Sequence, residues 1–397
     1  MKVLIADKLS RISIDALQEL GMQVEYLPDL TAEDLVEAVK DVDLLVVRST
    51  RVTRKAIDAA RSLSLLIRAG AGVNTIDVAA ASARGIYVSN CPGKNSAAVA
   101  ELAIGLLAAC DRRIADATED LRNGRWRKKE YGKSRGLKGR TLGILGMGMI
   151  GQAVARRARG LEMRVVAWSR SLTAERAAEL HLEFAPTPVE LAGQADAISI
   201  HLAATPETRH LVDREFLSHV RPGTILINTS RGELVDTNAL VEAIREKQLR
   251  VGLDVFEDEP RGGDADFQDS ELAGLLTATP HIGASTDQAS EAIAEEVVRI
   301  TRTFRETGKP PNTVNMCARS PATHCLVVRH YDRVGVLASV LDLLREEGIN
   351  VEEMENTVFE GANAACCTLQ LDTPPSSQAL TLLERNENIL RVALQTR

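Results

Sequence analysis

Short apolar runs alternate with stretches of helical period from the first residues onward. Val3 to Ala6, Gln23 to Tyr26 and Asp43-Leu-Leu-Val-Val47 read as strands, with helices Ile12 to Leu20 and Thr31 to Val39 between them. Uninterrupted apolar strands suit a sheet buried on both faces, so this order predicts a parallel α/β sheet. Leu65-Leu-Ile-Arg68 and Ile86-Tyr-Val-Ser89 extend it. The stretch from Asn95 to Leu121 is alanine-rich and helix-prone throughout, as a connector between domains would be. A second α/β unit runs from Thr141 to Pro280, with strands Met163 to Trp168, Ile198 to His201, Thr224 to Asn228 and Gly252 to Val255, and the helix Ala289 to Glu306 leads back. A nucleotide domain inserted into a discontinuous substrate domain explains this order, giving a substrate domain at 1–97 and 281–310 and a nucleotide domain at 98–280.

Two turn-rich segments, Gly308-Lys-Pro-Pro-Asn312 and Arg319-Ser-Pro-Ala322, precede a third module at 323–397. There the pattern is strand (Cys325 to Val328), helix (Leu337 to Glu346), strands (Val351 to Val358 and Ala364 to Leu371), helix (Gln378 to Leu383) and strand (Ile389 to Leu394). That is the βαββαβ order of the ferredoxin-like split.

Composition narrows the function classes. A chain of 397 residues exceeds one ordinary core and implies two or three domains. With 48 basic against 55 acidic residues there is no general cationic surface, so nucleic acid is not an expected partner. Six cysteines lie without metal-ligand spacing, which predicts free thiols and no metal. Met1 to Asp7 reads as a strand and not as a cleavable leader, and no apolar run approaches the roughly 20 residues that cross a bilayer. A cytoplasmic protein without membrane partners is expected.

The run Gly143-Ile-Leu-Gly146-Met-Gly148-Met149-Ile150-Gly151 places three glycines where a strand turns into a helix, Gln152 to Arg159. Gly146 permits the tight turn, Gly148 admits a pyrophosphate to the backbone, and Gly151 lets the helix pack on the strand. The helix N-terminus then offers unpaired N–H groups and positive dipole to phosphate. Three later loops each follow a strand and carry an arginine, a carboxylate and a histidine: Ser230-Arg231-Gly232, Asp254-Val-Phe-Glu-Asp-Glu259-Pro260 and Pro280-His281-Ile-Gly283. Ligands of parallel sheets bind beyond the carboxyl ends of strands, so the three can converge on one cleft, although each alone also reads as a surface-loop residue.

These segments, with Val47-Arg48-Ser49-Thr50, Arg68-Ala-Gly70-Ala-Gly72-Val73 and Asn95-Ser96, resemble the D-isomer-specific 2-hydroxyacid dehydrogenases along nearly the whole chain. Within that family the resemblance is strongest to members that oxidise 3-phospho-D-glycerate on the way to L-serine. It implies a Rossmann-type nucleotide domain inserted in a flavodoxin-like α/β substrate domain. It also implies a catalytic set of Arg231, Glu259 and His281. His281, with an ordinary pKa near 6.5, suits the acid/base; Glu259 would favour its imidazolium form, and Arg231 offers a planar fork for a carboxylate and a developing oxyanion. Arg48, Ser49, Arg68, Gly70, Gly72 and Val73 are the implied substrate contacts, with Arg51, Lys128 and Lys129 as further cationic candidates. On the cofactor side stand Gly146, Gly148, Met149, Ile150, Gly151, Ser169, Arg170, His201, Ser230, Asp254 and Gly283, with His201 as pocket wall. His181, His210, His219 and His324 read as residues without partner or role.

The second nucleotide-binding strand ends in Ala167-Trp168-Ser169-Arg170-Ser171, where many NAD-dependent relatives carry an aspartate for the ribose diol. With no carboxylate to repel a 2′-phosphate and Arg170 to pair with it, the local chemistry leans to NADP, whereas precedent for phosphoglycerate oxidation favours NAD; the cofactor expected is NAD(P). Residues 323–397 resemble an ACT domain, with His330, Asp332 and Asn350 at positions that contact L-serine in related enzymes. Pairing of such modules implies a homodimer or homotetramer with the L-serine effector between subunits. A glyoxylate or hydroxypyruvate reductase would use the same catalytic set, and a nicotinamide-sensing scaffold or corepressor would keep the same fold.

Overall fold

A computed structural model describes residues 1–260, 265–267, 270–317 and 320–396. The chain divides into two compact units, Met1–Asn315 and Met316–Arg397. In the first unit, strands β1 to β5 (Lys2–Ile5, Gln23–Tyr26, Leu44–Val47, Leu65–Arg68, Tyr87–Asn90) form a parallel sheet in the order β2-β1-β3-β4-β5. Strands β6 to β12 (Thr141–Leu145, Arg164–Trp168, Glu183–Phe184, Ala197–Ile200, Ile225–Asn228, Arg250–Leu253, Thr277–Ala278) form a second parallel sheet, β12-β11-β10-β9-β6-β7-β8. Strand order reverses beside β6 and β9, the kind of crevice in which open α/β sheets hold ligands. The glycine run leaves β6 at this point, and His201 leaves β9.

Both sheets are covered on their two faces, which is why their central strands are mostly apolar. The helix Ser96–Arg112 packs Ala100, Ala103, Leu107 and Cys110 among Ala153, Val154 and Ala158 of the helix Met149–Gly160, small residues that let the two come close. The helix Asp287–Thr307 returns to the first sheet, burying Ile293, Val297 and Ile300 with Val3, Ile5 and Leu65. Residues 312–315 follow it onto the edge of β5, where Val314 N donates to the Val88 carbonyl at 2.8 Å.

Two predicted helices differ. The stretch Asn95 to Leu121 is not one helix: Arg113 adopts φ 50°, and a second helix, Ile114–Arg122, starts beyond it. Thr31 to Val39 contains only the short helix Leu35–Ala38, because Asp34 Oδ2 accepts from both the amide and the hydroxyl of Thr31 and closes a turn there. The two-residue strands β8 and β12 carry no apolar run long enough to announce them.

The second unit has the order strand β13 (His324–Tyr331), helix Val336–Glu346, strands β14 (Val351–Val358) and β15 (Ala364–Leu371), helix Ser377–Arg385, strand β16 (Ile389–Thr396). Its antiparallel sheet runs β14-β15-β13-β16, the ferredoxin-like arrangement. Alternation along β15 sends Ala365, Cys367, Leu369 and Leu371 into the core beneath the helices. Among the described residues no helix is long and apolar enough to cross a membrane, and no three His, Cys, Asp or Glu side chains are grouped to hold a metal.

Candidate active site

His281 and Glu259 meet. Glu259 Oε2 lies 2.7 Å from His281 Nδ1, which therefore carries a proton, and Nε2 has no hydrogen bond among the described residues. Burial pushes the Glu259 carboxyl upward, but the hydrogen bond and charge of His281, the Phe256 amide at 3.1 Å and the charge of Arg231 outweigh it and hold the group below its ordinary value. The turn that presents His281 is fixed from behind. His281 sits at φ 52°, its amide donates to the Asp254 carbonyl at 2.8 Å, and the Asp254 carboxylate accepts from Thr279 Oγ1 (2.7 Å), Ile282 N (2.8 Å) and Gly283 N (2.8 Å). Asp254 is 1% exposed with both oxygens engaged, so here it shapes the histidine turn, as does Gly283, instead of presenting a free carboxylate to a ligand.

Arg231 follows β10 in extended conformation, with Nη1 donating to the Ser230 carbonyl at 2.6 Å. A Cβ on Gly72, in the loop after β4, would run into the Arg231 guanidinium, and one on Gly232 would strike the Phe256–Glu257 peptide. Arg231 thus lies against the first sheet's loop while its own backbone presses on the segment that leads to Glu259.

Arg68 is the last residue of β4, and Arg48 directly follows β3. The Arg68 guanidinium folds over Gly70, and its Nε is buried without a partner among the described residues. Burial, then the neighbouring charges of Arg231 and Arg48, lower its pKa to about 10. Three guanidinium groups in mutual repulsion, one of them desolvated, form a place where an anion gains and a cation loses. Asp7, which no sequence motif marks, accepts the amides of Arg48 (2.7 Å) and Thr50 (3.0 Å) and shapes the loop that bears Ser49. Ser49 is exposed and Val73 half-buried; Lys128 and Lys129 lie on a separate short helix, Lys128–Tyr131.

The glycine run gives each residue its expected surroundings. Gly146 has φ 101°, and a Cβ there would strike the His201 carbonyl; a Cβ on Gly151 would strike the Gly146 carbonyl; around Gly148 there is open space. Met149 and Ile150 begin the helix, whose N-cap Gly148 supplies no side-chain bond to its first amides. An open cradle at a helix N-terminus fits a pyrophosphate. Ser169 and Arg170 follow β7, Ser169 half-buried and Arg170 exposed. His201 Nε2 lies 2.8 Å from Ser199 Oγ, and burial pushes its pKa down to about 3, so it stays neutral. The Ser230 hydroxyl is bonded to Asn228 Oδ1 at 2.8 Å, facing into the protein.

The expectation that His181, His210, His219 and His324 lack partners needs correction for three of them, His210, His219 and His324. His210 has a partner: its Nε2 lies 2.6 Å from Glu257 Oε1. His324 opens β13, with Nδ1 2.8 Å from Thr323 Oγ1; His219 Nδ1 lies 3.1 Å from Ser218 Oγ, and His181 is exposed at φ 57°. In the second unit His330 is only 2% exposed, bonded to the Tyr331 carbonyl at 2.8 Å and to Asn356 at 3.2 Å, whereas Asp332 and Asn350 are exposed. Register sets His330 opposite Ala365 and Val351 opposite Leu371, so His330 and Asn350 stand at opposite ends of the sheet and a single copy does not bring them together.

Comparison with known proteins places the chain in a family. The family model described as "D-isomer specific 2-hydroxyacid dehydrogenase, NAD binding domain" matches residues 104–283. A D-3-phosphoglycerate dehydrogenase of Methanocaldococcus jannaschii is 41% identical over 310 residues, which cover 76% of this chain and 58% of that protein. A glyoxylate reductase of Thermococcus litoralis is 40% identical over 291 residues, 71% of this chain and 86% of that one. Among solved structures, the TT0316 protein of Thermus thermophilus superposes with a TM-score of 0.71 at 36% identity, covering 79% of this chain and 100% of its own. The chain belongs to the D-isomer specific 2-hydroxyacid dehydrogenase family. It spans little more than half the length of the Methanocaldococcus relative.

Proposed function

We propose that the protein oxidises 3-phospho-D-glycerate to 3-phosphohydroxypyruvate with NAD(P)+, the step that opens L-serine synthesis. The observation that carries the choice of substrate is the cluster of Arg48, Arg68 and Arg231, whose mutual repulsion suits a ligand with both a carboxylate and a phosphate. The bound nicotinamide would accept the hydride from C2. His281 Nε2 takes the hydroxyl proton, Glu259 holds Nδ1–H and stabilises the imidazolium, and Arg231 binds the carboxylate and the carbonyl oxygen as it forms. The cleft lies between a substrate domain at 1–97 and 281–310 and a dinucleotide domain at 98–280. Gly146 to Gly151 would hold the pyrophosphate, Ser169 and Arg170 the adenosine ribose or its 2′-phosphate, and His201 the pocket wall. Ser230, Asp254 and Gly283 would frame the nicotinamide end through the turns they fix.

Residues 323–397 act in this reading as an ACT domain. The separation of His330 from Asn350 within one copy supports an L-serine site shared by two copies, and hence a homodimer or homotetramer. The match along 86% of a glyoxylate reductase favours a second reading, reduction of a small 2-keto acid by the same residues. Turnover on 3-phosphohydroxypyruvate, hydroxypyruvate and glyoxylate, each with NADH and NADPH, separates them. The phosphorylated acid should give the highest kcat/KM; a higher value for glyoxylate moves the assignment to the second reading.

A further inference from the structure

Glu257, two residues before Glu259, makes none of its bonds to the catalytic histidine. Its Oε1 accepts from His210 Nε2 at 2.6 Å and faces Arg209 Nη2 at 3.4 Å, while Oε2 accepts from Thr237 Oγ1 at 3.0 Å and faces the Thr237 amide at 3.4 Å. Burial alone would raise this carboxyl, yet the bonds from His210 and Thr237 outweigh it and hold it below its ordinary value, so it is ionised wherever the enzyme is folded at neutral pH.

Three loops meet at this one side chain. The segment around His210 is knitted to the one after Arg231, because His210 N donates to the Glu233 carbonyl at 2.9 Å and Val212 N to the Leu234 carbonyl at 3.0 Å. Thr237 closes that same segment. Glu257 brings in the third loop, the one that ends in Glu259, and Gly232 lies flush on its Phe256–Glu257 peptide. His210 holds this place at φ 51°, a left-handed conformation that a residue with a Cβ adopts at a cost and keeps only where its surroundings require it.

We propose that His210 is a positioning residue: through Glu257 it holds the loop of Glu259 in register with the loop of Arg231, and so sets how well Glu259 supports His281. The inference rests on the proposed dehydrogenase activity for its kinetic consequence, but the geometry it predicts can be read without turnover. Orientation errors of about 1 Å remote from the reacting atoms cost up to about 100-fold in rate, so a loosened loop is expected to matter.

The test uses the full-length protein with His210→Asn, which tolerates the left-handed backbone but is too short to keep the contact, and Glu257→Gln, which keeps shape and loses charge. Both should fold and bind NADH within about twofold of wild type. Each should lower kcat for reduction of the best 2-keto acid about 10-fold and move the alkaline limb of that rate to lower pH. Combined with Glu259→Gln, neither should move the limb further, since the group they act through is already gone. In proton NMR, the Nδ1–H signal of His281 should shift in both variants. An alkaline limb and an Nδ1–H signal that stay in place in folded variants overturn the proposal, and so does an equal further shift in the Glu259→Gln background. A wild-type chain that reduces no 2-keto acid sinks the proposed activity instead, while the NMR signal still decides the role of His210.

Discussion

A histidine next to a carboxylate becomes an acid/base only when its proton is assigned to one nitrogen, and in this protein Glu259 makes that assignment at Nδ1. His281→Ala should therefore lower turnover about 100-fold or more, since a positioned acid/base contributes about 10²–10⁴-fold, while NADH binding by fluorescence stays close to wild type. Glu259 is held below its ordinary carboxyl value and is charged at neutral pH, so it meets His281 Nδ1 as a full carboxylate. In Glu259→Gln that support is absent, and the reductive rate should begin to fall at a lower pH than in wild type. At the end of β7, Arg170→Ala should weaken NADPH about 10–100-fold with NADH unchanged if the guanidinium pairs with the 2′-phosphate; equal effects on both cofactors place NAD first. Arg231, Glu259 and His281 stood out in the sequence through the family resemblance, which implies all three together. The partner of Glu257 was not legible, since its bond to His210 spans 47 residues of sequence.

Among elements, the long helix Asp287–Thr307 shows why polar positions are hard to read ahead of a structure. Its apolar face is plain from the pattern, but Glu296 looks like one more surface carboxylate and is instead 4% exposed. It accepts from Arg299 Nε at 3.0 Å, Asn312 Nδ2 at 2.7 Å and Lys94 Nζ at 3.2 Å, so it ties the returning helix to residues on either side of the sheet edge. The Arg299 bond foremost, with Asn312 and Lys94 and against the cost of burial, lowers its pKa to about 2. A carboxyl whose folded pKa is depressed contributes stability that is complete above its ordinary value of 4.5 and is lost as pH falls towards 2. Glu296→Gln should cost about 1–3 kcal/mol at pH 7, discounted for the half-exposed Arg299, and the gap in urea midpoint should close between pH 5 and 2. The break at Arg113 was equally hidden: both flanks favour helix and no glycine marks the left-handed residue, so the pattern reads straight through it.

For the molecule as a whole, the succession of strands and helices and the third module's βαββαβ order could be read early, because buried parallel strands and half-buried antiparallel ones carry different periods. Contacts between segments far apart in sequence could not, and the lone Nε of Arg68 or the Asp254 turn had to be seen. The ACT reading makes regulation a property of paired copies. Removing residues 316–397 should leave keto-acid reduction within a few-fold of the intact chain and abolish any inhibition by millimolar L-serine, as paired rate measurements on the two proteins would record. The place where Arg231 lies over Gly72 has a further meaning for the intact cleft. One sheet's guanidinium occupies the volume that a side chain of the other sheet would fill, so a ligand spanning Arg231 and Arg68 would be gripped as if between the jaws of calipers. For the acid proposed above, its length and the distance between the two sheets would then be a single quantity.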